Sequence, residues 1–312
     1  MPDAATLDRW STADMTSRIV RYGDLRPCFN AFVDCRTPGS ETKENFTIIG
    51  PGVSENPNQH VHIAEPHGFN IGGARQPPHC VNSQHSHDTA EVFVAHSGHW
   101  RFDLGEHGDD AQVELHPGDT ISLPTKVFRG FTNIGDTPGF LWAVLGQDIP
   151  GRVTWAPQVF TMAEDYGLVL LDSGQLVDTA AGEAIPADAQ KMTPTSAEDA
   201  AKLDRMTAHD AAQLVVRAAD VSAAIIGDRA PLGWPHGFTL DRVVLAPGTD
   251  TTSLPSASGV EVVFVHRGSA TMAWRDGTVT IDTGDTITVP VGLDREWRSS
   301  PGATLFVVHG DG

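Results

Sequence analysis

Residues 91–98 read EVFVAHSG and residues 261–268 read EVVFVHRG, so Glu, His and Gly recur at identical spacing. Each segment is followed by a second matched one, PGDTISLP at 117–124 and TGDTITVP at 283–290. In both copies an arginine stands five residues after the final proline, Arg129 in the first and Arg295 in the second. Self-similarity at a nearly fixed offset is the signature of repeated structural units. The sequence therefore predicts two homologous domains in one chain.

The predicted secondary structure is mostly β. Short runs of Val, Ile, Leu, Phe and Thr alternate with Gly, Pro and Asp, as in sandwiches and barrels. An Ala- and Asp-rich stretch from about Leu176 to Gln213 breaks this pattern and carries helix signals. We predict an N-terminal extension at 1–60 that packs on the barrels, a first β domain at 61–160, a helical connection at 161–215 and a second β domain at 216–312.

Composition narrows the classes of partner. The chain has 312 residues, with 21 Lys+Arg against 40 Asp+Glu and a formal net charge of −19. Nucleic acids and anionic membranes attract basic patches, so neither is an expected partner. The three cysteines, Cys28, Cys35 and Cys80, do not have the spacing of a disulfide framework. With no apolar run of spanning length and no recognisable secretory leader, we expect a cytoplasmic protein.

Two motifs give the chain a family resemblance. The first cupin motif is matched from its first histidine onward by His85, His87, Glu91 and Gly98. Most of the second is matched by Gly118, Pro124 and Asn133. The chain departs from the pattern at His79, where the first motif usually opens with glycine. Over about residues 68–148 and 237–311 it resembles the germin-like bicupins, which implies two cupin barrels of the double-stranded β-helix, or jelly-roll, type. Fold alone leaves the function open, because this scaffold hosts dioxygenases, decarboxylases, isomerases, lyases and binding proteins.

The first domain carries a candidate metal site. His85 and His87 are two residues apart on a predicted strand, and Glu91 is four further along, so all three are expected on one face. Two imidazoles and one carboxylate bind divalent ions such as Fe(II) and leave coordination positions open. We predict one divalent metal ion per chain, Fe(II) foremost, with Mn, Ni and Zn also compatible with these ligands. The alternative is that the histidines lie at the surface beside a loop and Glu91 faces solvent.

Arg129 is the main departure from the family. The resemblance implies a fourth ligand, a histidine, at this position, and a permanently protonated guanidinium cannot serve as one. Two interpretations remain. Either Arg129 acts with Glu91 in catalysis and holds an anionic group of the substrate, or it forms a salt bridge with Glu91 in a pocket without metal. Phe93, Phe131 and Trp142 are expected to contact substrate, although aromatic residues inside a small barrel usually form its core.

The second domain has lost the ligand pattern. Pro255 and Ala257 stand where the first domain has its two histidines, and only Glu261 and Arg295 remain. We predict a degenerate site in which these two residues form an ion pair, because an isolated charge inside a barrel would be costly. No metal is expected there.

Three functions are compatible with these residues. The first is a metal-dependent oxidoreductase, a dioxygenase acting on a small organic acid, a phenolic compound or a diketone-like compound. The second is a metal-dependent isomerase, decarboxylase or lyase, and the third is a non-catalytic bicupin that binds a small molecule. The expected partners are a small-molecule substrate, anionic if Arg129 binds it, and a second copy of the chain, since exposed barrel edges in this class are commonly covered in a homodimer.

Overall fold

The chain forms two compact units, as seen in a computed structural model that describes residues 10–220, 223–228, 231–232, 235–252 and 259–310. The larger unit comprises Arg26–Asp220 and Pro231–Gly237. The smaller unit comprises Met1–Leu25, Val221–Ala230 and Phe238–Gly312. The segment predicted as one extension, residues 1–60, thus divides between the two units at Leu25.

Strands dominate the described residues. The short helices are α1 (Thr12–Ser17), α2 (Pro157–Asp165), α3 (Ala197–Ala200) and α4 (Ala208–Gln213), with 3₁₀ turns at Tyr22–Asp24 and Thr179–Ala181. The strands up to residue 146 are β1 (Ile19–Val20), β2 (Glu44–Ile49), β3 (Val61–Ile63), β4 (Phe69–Gln76), β5 (Val81–His87), β6 (Glu91–Ser97), β7 (Trp100–Leu104), β8 (Ala111–Leu115), β9 (Thr120–Leu123), β10 (Arg129–Asn133) and β11 (Gly139–Gly146). Those that follow are β12 (Val153–Trp155), β13 (Leu168–Leu170), β14 (Leu176–Asp178), β15 (Val215–Val216), β16 (Ala224–Ile226), β17 (Phe238–Leu245), β18 (Thr249–Thr252), β19 (Glu261–Trp274), β20 (Gly277–Asp282), β21 (Thr286–Val289), β22 (Arg295–Ser299) and β23 (Ala303–Gly310). The predicted all-β architecture with a few short helices is confirmed.

The larger unit contains two principal sheets. One runs in the order β15-β9-β6-β11-β4-β2-β3 and the other in the order β12-β5-β10-β7-β8. Buried side chains from both sheets meet in a single core cluster, including Phe93 and Leu141 from the first sheet and Trp100, Phe102 and Phe131 from the second. The two sheets therefore pack face to face, and the space between them is where an interior site can form.

Local sequence explains the strands and the turns between them. In β8, Ala111, Val113 and Leu115 are buried while the two residues between them are exposed, which is the period of two expected for a strand with one face on the core. The repeated Gly-Asp turn also has a conformational reason. Gly118 and Gly284 have φ of +92° and +91°, a left-handed conformation that glycine adopts without steric cost.

The smaller unit is built on one nine-stranded sheet. Its main path is β1-β21-β19-β23-β17-β16, and β18, β20 and β22 pair outside this path. The N-terminal strand β1 takes part, since Ile19 pairs with Ile287 and Val20 with Thr286. The predicted counterparts of the two histidines, Pro255 and Ala257, lie outside the described residues. In the described part of the chain no helix has the length and hydrophobicity needed to cross a bilayer.

Candidate metal centre

The three predicted metal ligands come together in the interior of the larger unit. His85, His87 and Glu91 are 4%, 5% and 5% exposed, and one ligand atom from each lies within 4.8 Å of those of the other two. The sequence predicted one strand face for all three residues, whereas the structure places them on two strands. β5 ends at His87, a short turn follows, and Glu91 begins β6 in the opposite sheet. The carboxylate therefore approaches the imidazoles from the facing sheet, because the turn at 88–90 reverses the chain between them.

A β-bulge sets the direction of the histidines on β5. Arg129 of β10 pairs with His85, but Phe131 pairs with Asn82, so the register shifts between the two pairs. Such a bulge turns a strand locally and re-aims its side chains. As a result Asn82 and His85, which are three residues apart and would alternate in a regular strand, both line the same cavity.

His85 is held in one orientation. Its Nδ1 donates to the backbone carbonyl of Ser83 at 2.7 Å, which leaves the Nε2 lone pair available for a ligand. Its ring lies 5.3 Å from that of Trp155 and 5.0 Å from that of His87, measured between centroids. These contacts fix the imidazole that would bind a metal ion.

Both imidazoles are neutral in this environment. Burial, together with the positive charge of Arg129, lowers the pKa of His85 to about 3. The same two causes hold the pKa of His87 well below its ordinary value. The Nδ1 atom of His87 is buried and has no hydrogen-bond partner among the described residues. Neutral imidazoles beside a carboxylate are the form in which these side chains bind a divalent ion, so the donor set fits the predicted metal.

Glu91 is shared between the candidate ligands and Arg129. Its Oε2 accepts a hydrogen bond from Arg129 Nη2 at 2.8 Å and lies 3.4 Å from His87 Nε2. Burial raises the pKa of Glu91 above its ordinary value, while the contact with Arg129 opposes that rise. Arg129 itself is completely buried, and its Nε has no hydrogen-bond partner among the described residues. The ion pair of the second interpretation therefore exists, and it occupies one oxygen of the carboxylate.

The triad forms part of the wall of a cavity lined by aromatic and aliphatic side chains with a few polar groups, a lining typical of small-molecule sites. Phe93 and Phe131 line it, as predicted substrate contacts should. Trp142 and Arg129 are not among its lining residues. On β11 it is Ala143 and Leu145 that line the cavity, so Trp142 points to the opposite face of that strand. The structure therefore does not place Trp142, a predicted substrate contact, at this cavity, because neighbouring residues of a strand point to opposite faces.

Much of the cavity wall comes from residues that the motifs did not reveal. Nine lining residues lie between positions 45 and 59 or on β12: Asn45, Phe46, Thr47, Gly52, Val53, Ser54, Gln59, Val153 and Trp155. Trp155 donates from Nε1 to the buried carboxylate of Glu55 at 2.6 Å. An N-terminal lysine, Lys43, forms a fully buried ion pair with Asp34, whose other oxygen accepts from the backbone N–H of Ser83 at 2.9 Å. In the sequence, the only signal for these residues was compositional. It was a charged pair close to cysteines, in a segment that has no counterpart in the repeat.

A second group of candidate ligands lies at the surface of the larger unit. His99, Glu114 and His116 bring one ligand atom each within 4.8 Å of the others. The imidazole rings of His99 and His116 are stacked at 4.3 Å, and His99 Nε2 lies 2.8 Å from Glu114 Oε2. Glu114 and His116 are exposed, in contrast to the triad. Any measurement of bound metal must therefore separate the two groups.

The smaller unit contains the ion pair expected of a degenerate site. Arg295 donates from Nε to Glu261 Oε1 at 3.1 Å and from Nη2 to the other oxygen of the same carboxylate. Both side chains are 1% exposed. Among the described residues of this unit no group of three potential metal ligands occurs. The arrangement repeats the Glu91–Arg129 contact without the two imidazoles.

The sequence around the triad matches a known family model. The cupin domain model aligns with residues 74–145, which include both histidines, Glu91 and Arg129. Residues 74–145 are a cupin domain. No curated protein sequence matches the chain.

Solved structures extend the cupin likeness to both units. An oxalate decarboxylase is 10% identical, with a TM-score of 0.56 over 94% of this chain and 77% of that one. Procruciferin, an 11S globulin from Brassica napus, is 13% identical, with a TM-score of 0.54 over 85% of this chain and 79% of the other. A variant of salicylate 1,2-dioxygenase from Pseudoaminobacter salicylatoxidans is 16% identical, with a TM-score of 0.53 over 93% and 82%. At these identities the likeness is one of fold, and the predicted two-barrel cupin architecture is confirmed.

Proposed function

We propose that the protein is a metal-dependent cupin oxidoreductase, a dioxygenase that acts on a small molecule bound between the sheets of the larger unit. The observation that carries the proposal is the buried triad of His85, His87 and Glu91 at the wall of a cavity. These three residues would hold one divalent ion, Fe(II) foremost. When bound, such an ion supplies Lewis acidity and one-electron chemistry at positions that the protein leaves open.

The side chains around the triad have separate tasks. His85 is kept in the ligating tautomer by the Ser83 carbonyl, and Trp155 packs against its ring. Arg129 holds the carboxylate of Glu91 through Oε2, the oxygen that also lies 3.4 Å from His87 Nε2. Because Arg129 is buried and does not line the cavity, we assign it as a positioning residue for Glu91, in place of the substrate contact expected from sequence.

Metal binding tests the site directly. The purified chain is stripped with a chelator and titrated with Mn²⁺ by calorimetry, in the wild type, in His85→Ala/His87→Ala and in His99→Ala/His116→Ala. We expect the surface variant to retain one tight equivalent and the triad variant to lose it. Removing two of three ligands should weaken binding by at least a hundredfold, since even changes outside the ligand shell cost about 10- to 100-fold. Equal binding by the triad variant and the wild type would contradict the proposal.

Oxygen dependence separates the dioxygenase from the other enzymatic possibilities. Oxygen uptake by the Fe(II)-loaded protein is measured with oxalate, catechol and acetylacetone, which represent the acid, phenolic and diketone classes. We expect one of the three compounds to give oxygen uptake together with a matching amount of product. The triad variant should give neither uptake nor product. Product formation that continues unchanged without oxygen would instead support a metal-dependent isomerase, decarboxylase or lyase.

A second candidate function is favoured by one observation, the Glu91–Arg129 ion pair. The same pair occurs as Glu261–Arg295 in the smaller unit, where no ligand triad accompanies it among the described residues. On this alternative the larger unit is a metal-free small-molecule binder. Mn²⁺ titration distinguishes it from the enzyme, because a binder of this kind has no tight equivalent at the triad.

Assembly and location complete the proposal. We propose a homodimer, to be checked by light scattering on the eluted full chain, with a monomer mass contradicting it. We also propose a cytoplasmic location, supported by Cys28, Cys35 and Cys80, which are buried free thiols. Cell fractionation with an antibody to the chain tests this assignment.

A further inference from the structure

The cavity walls are chemically uneven. Five aromatic side chains line it: Phe32, Phe46, Phe93, Phe131 and Trp155. Its polar lining outside the triad consists of amides and hydroxyls, namely Asn45, Thr47, Ser54, Gln59, Asn70 and Asn82. Aromatic walls suit a flat ring or a conjugated system, and amide groups suit neutral hydrogen-bonding substituents.

Positive charge is missing from this lining. Among the described residues that line the cavity, none is lysine or arginine. Two cations stand behind the lining and are already paired: Arg129 is fully buried and bound to Glu91, and Lys43, which donates to Asn82 Oδ1, is fully buried and bound to Asp34. Apart from the two imidazoles, Glu91 is the one ionisable side chain among the described residues of the lining. At the end of the cavity remote from the triad, a carboxylate on a ligand would find no lysine or arginine of the described lining to pair with, and an unpaired buried charge is strongly disfavoured.

Asn45 is a candidate hydrogen-bond donor to a ligand in the cavity. It is 6% exposed, lines the cavity, and its Nδ2 has no acceptor among the described residues. The strand pairing places Asn45 away from the triad. Glu91 pairs with Leu145 of β11. Asn45 pairs with Ala74 of β4, which in turn pairs with Leu141 of β11. Four residues along a strand correspond to about 13 Å. Gln59, another lining residue, donates from Nε2 to Thr47 Oγ1, and its Oε1 has no partner among the residues that the structure describes.

We propose that the cavity takes an uncharged, aromatic-sized molecule of the phenolic or diketone-like class, with a neutral acceptor group that binds Asn45 at the end remote from the triad. Small acids are excluded from this assignment. The inference rests on the proposed function only in placing the reacting end of the molecule at His85, His87 and Glu91. The discrimination itself comes from the lining: a site built of amides rejects a carboxylate of the same shape because no cation replaces its water shell.

A pair of isosteric probes tests the charge preference. Binding of 4-hydroxybenzamide and 4-hydroxybenzoate to the full chain is measured by calorimetry at neutral pH, both with Mn²⁺ and after chelation. The two molecules have the same ring and hydroxyl, and they differ in the charge of one planar group. We expect the amide to bind at least about tenfold more tightly in both states of the protein. Tighter binding of the carboxylate in either state, or no measurable binding of either probe, overturns the inference.

Substitution at Asn45 tests the hydrogen bond. Asn45→Leu should weaken binding of the amide by about tenfold, the scale of one lost hydrogen bond. The matched control is Asn58→Leu, since Asn58 is exposed and does not line the cavity. Asn45→Ala serves if the leucine does not fit, and circular dichroism checks folding of each variant. Unchanged affinity in a folded Asn45 variant would remove Asn45 from the site.

The two proposals fail separately. Loss of the Mn²⁺ equivalent in His85→Ala/His87→Ala tests the metal site, and its result does not depend on which probe binds the cavity more tightly. A protein that binds Mn²⁺ at the triad but prefers the carboxylate keeps the proposed function and loses this inference. One that prefers the amide without binding Mn²⁺ keeps the cavity chemistry and loses the enzyme.

Discussion

Glu91 has two neighbours that compete for one oxygen. Arg129 donates to Oε2, and His87 lies within 3.4 Å of the same atom. The carboxylate and the guanidinium are both buried, so each depends on the other for compensation of its charge. Removing one partner leaves an unpaired buried charge, whereas replacing both by apolar groups removes the need for compensation.

The first prediction concerns this pair. Arg129→Met should lower the free energy of unfolding by about 3–5 kcal/mol, and Glu91→Leu/Arg129→Met should recover much of the loss. Urea unfolding of the metal-free protein at neutral pH measures both. Lys191→Met is the control, because the exposed Lys191–Glu164 pair should contribute less than about 1 kcal/mol. A double variant as unstable as Arg129→Met alone would contradict the interpretation.

Glu55 is a buried acid outside the triad. Its oxygens accept hydrogen bonds from Trp155 Nε1 and from the backbone N–H of Val33, both at 2.6 Å. Burial nevertheless raises its pKa from 4.5 to about 8, since desolvation outweighs those two contacts. Between these values the folded chain holds a proton that the unfolded chain releases, so stability falls as pH rises.

The second prediction is therefore a pH profile. Glu55→Gln should remove the contribution of this proton, so the fall in stability between pH 5 and pH 8 is shallower in the variant than in the wild type. The pKa difference sets an upper limit of about 5 kcal/mol on the effect, with a few kcal/mol expected. Urea midpoints across this range provide the measurement. Parallel profiles for the two proteins would rule out a raised pKa at Glu55.

Sequence reasoning found the triad because motif spacing survives folding. His85, His87 and Glu91 stand in one short segment, so local spacing was enough to bring them together. Asn45 and Trp155 were missed because they reach the cavity only through tertiary pairing, from strands without a motif. The place of Trp142 outside the cavity lining has a different cause: which residues of β11 point inward depends on the face that the opposite sheet covers, and the sequence of one strand does not decide this.

Among the strands, β5 and β10 control the geometry of the site. Their register shifts between the Arg129–His85 and Phe131–Asn82 pairs, and Gly130 lies between these pairs. A Cβ on Gly130 would stand 2.7 Å from the backbone carbonyl of Asn82 and would overlap the side chain of Gln84. Glycine is required here because the bulged strand approaches so closely.

The third prediction follows from that approach. Gly130→Ala should destabilise the protein by about 1–3 kcal/mol, the usual range for overpacking, and should also weaken Mn²⁺ binding because β5 carries both histidines. Thermal unfolding and calorimetric titration measure the two effects. Gly23→Ala is the control, since a Cβ there meets nothing within 4 Å. A stable Gly130→Ala protein with unaltered Mn²⁺ affinity would show that the bulge does not position the ligands.

At the level of elements, the duplication predicted most of the fold. The repeated blocks correspond to β6 with β9 and to β19 with β21, which pair in the same way in the two units. The sequence did not predict that β2 would be an internal strand of the seven-stranded sheet, or that β1 would join the other unit. In the structure β1 takes the place in the smaller unit that β15 takes in the larger one, since Ile19 and Val20 pair with β21 in the register in which Val215 and Val216 pair with β9. The short apolar segments that form these strands carry no matched motif, so the repeat in the sequence did not reveal them.

For the molecule as a whole, charge and cavity chemistry agree. The net charge of −19 gives the chain a field that disfavours the approach of anions. The cavity lining adds no lysine or arginine among its described residues to offset that field. Neither the field of the net charge nor the cavity lining opposes an uncharged substrate. The charge of the whole molecule is therefore a second reason to prefer phenolic or diketone-like compounds over acids.

The pairing of β1 with β21 has a consequence for synthesis on the ribosome. Arg21, next to β1, binds Asp285, which is made 264 residues later. At the usual rate of about 5–20 residues per second, the early strand waits roughly 13 to 50 s for its partner. The larger unit can be completed during that interval, while the smaller unit has to await almost the entire chain. Nascent chains released early would therefore present Ile19–Val20 unpaired, and they should be the species that chaperones retain.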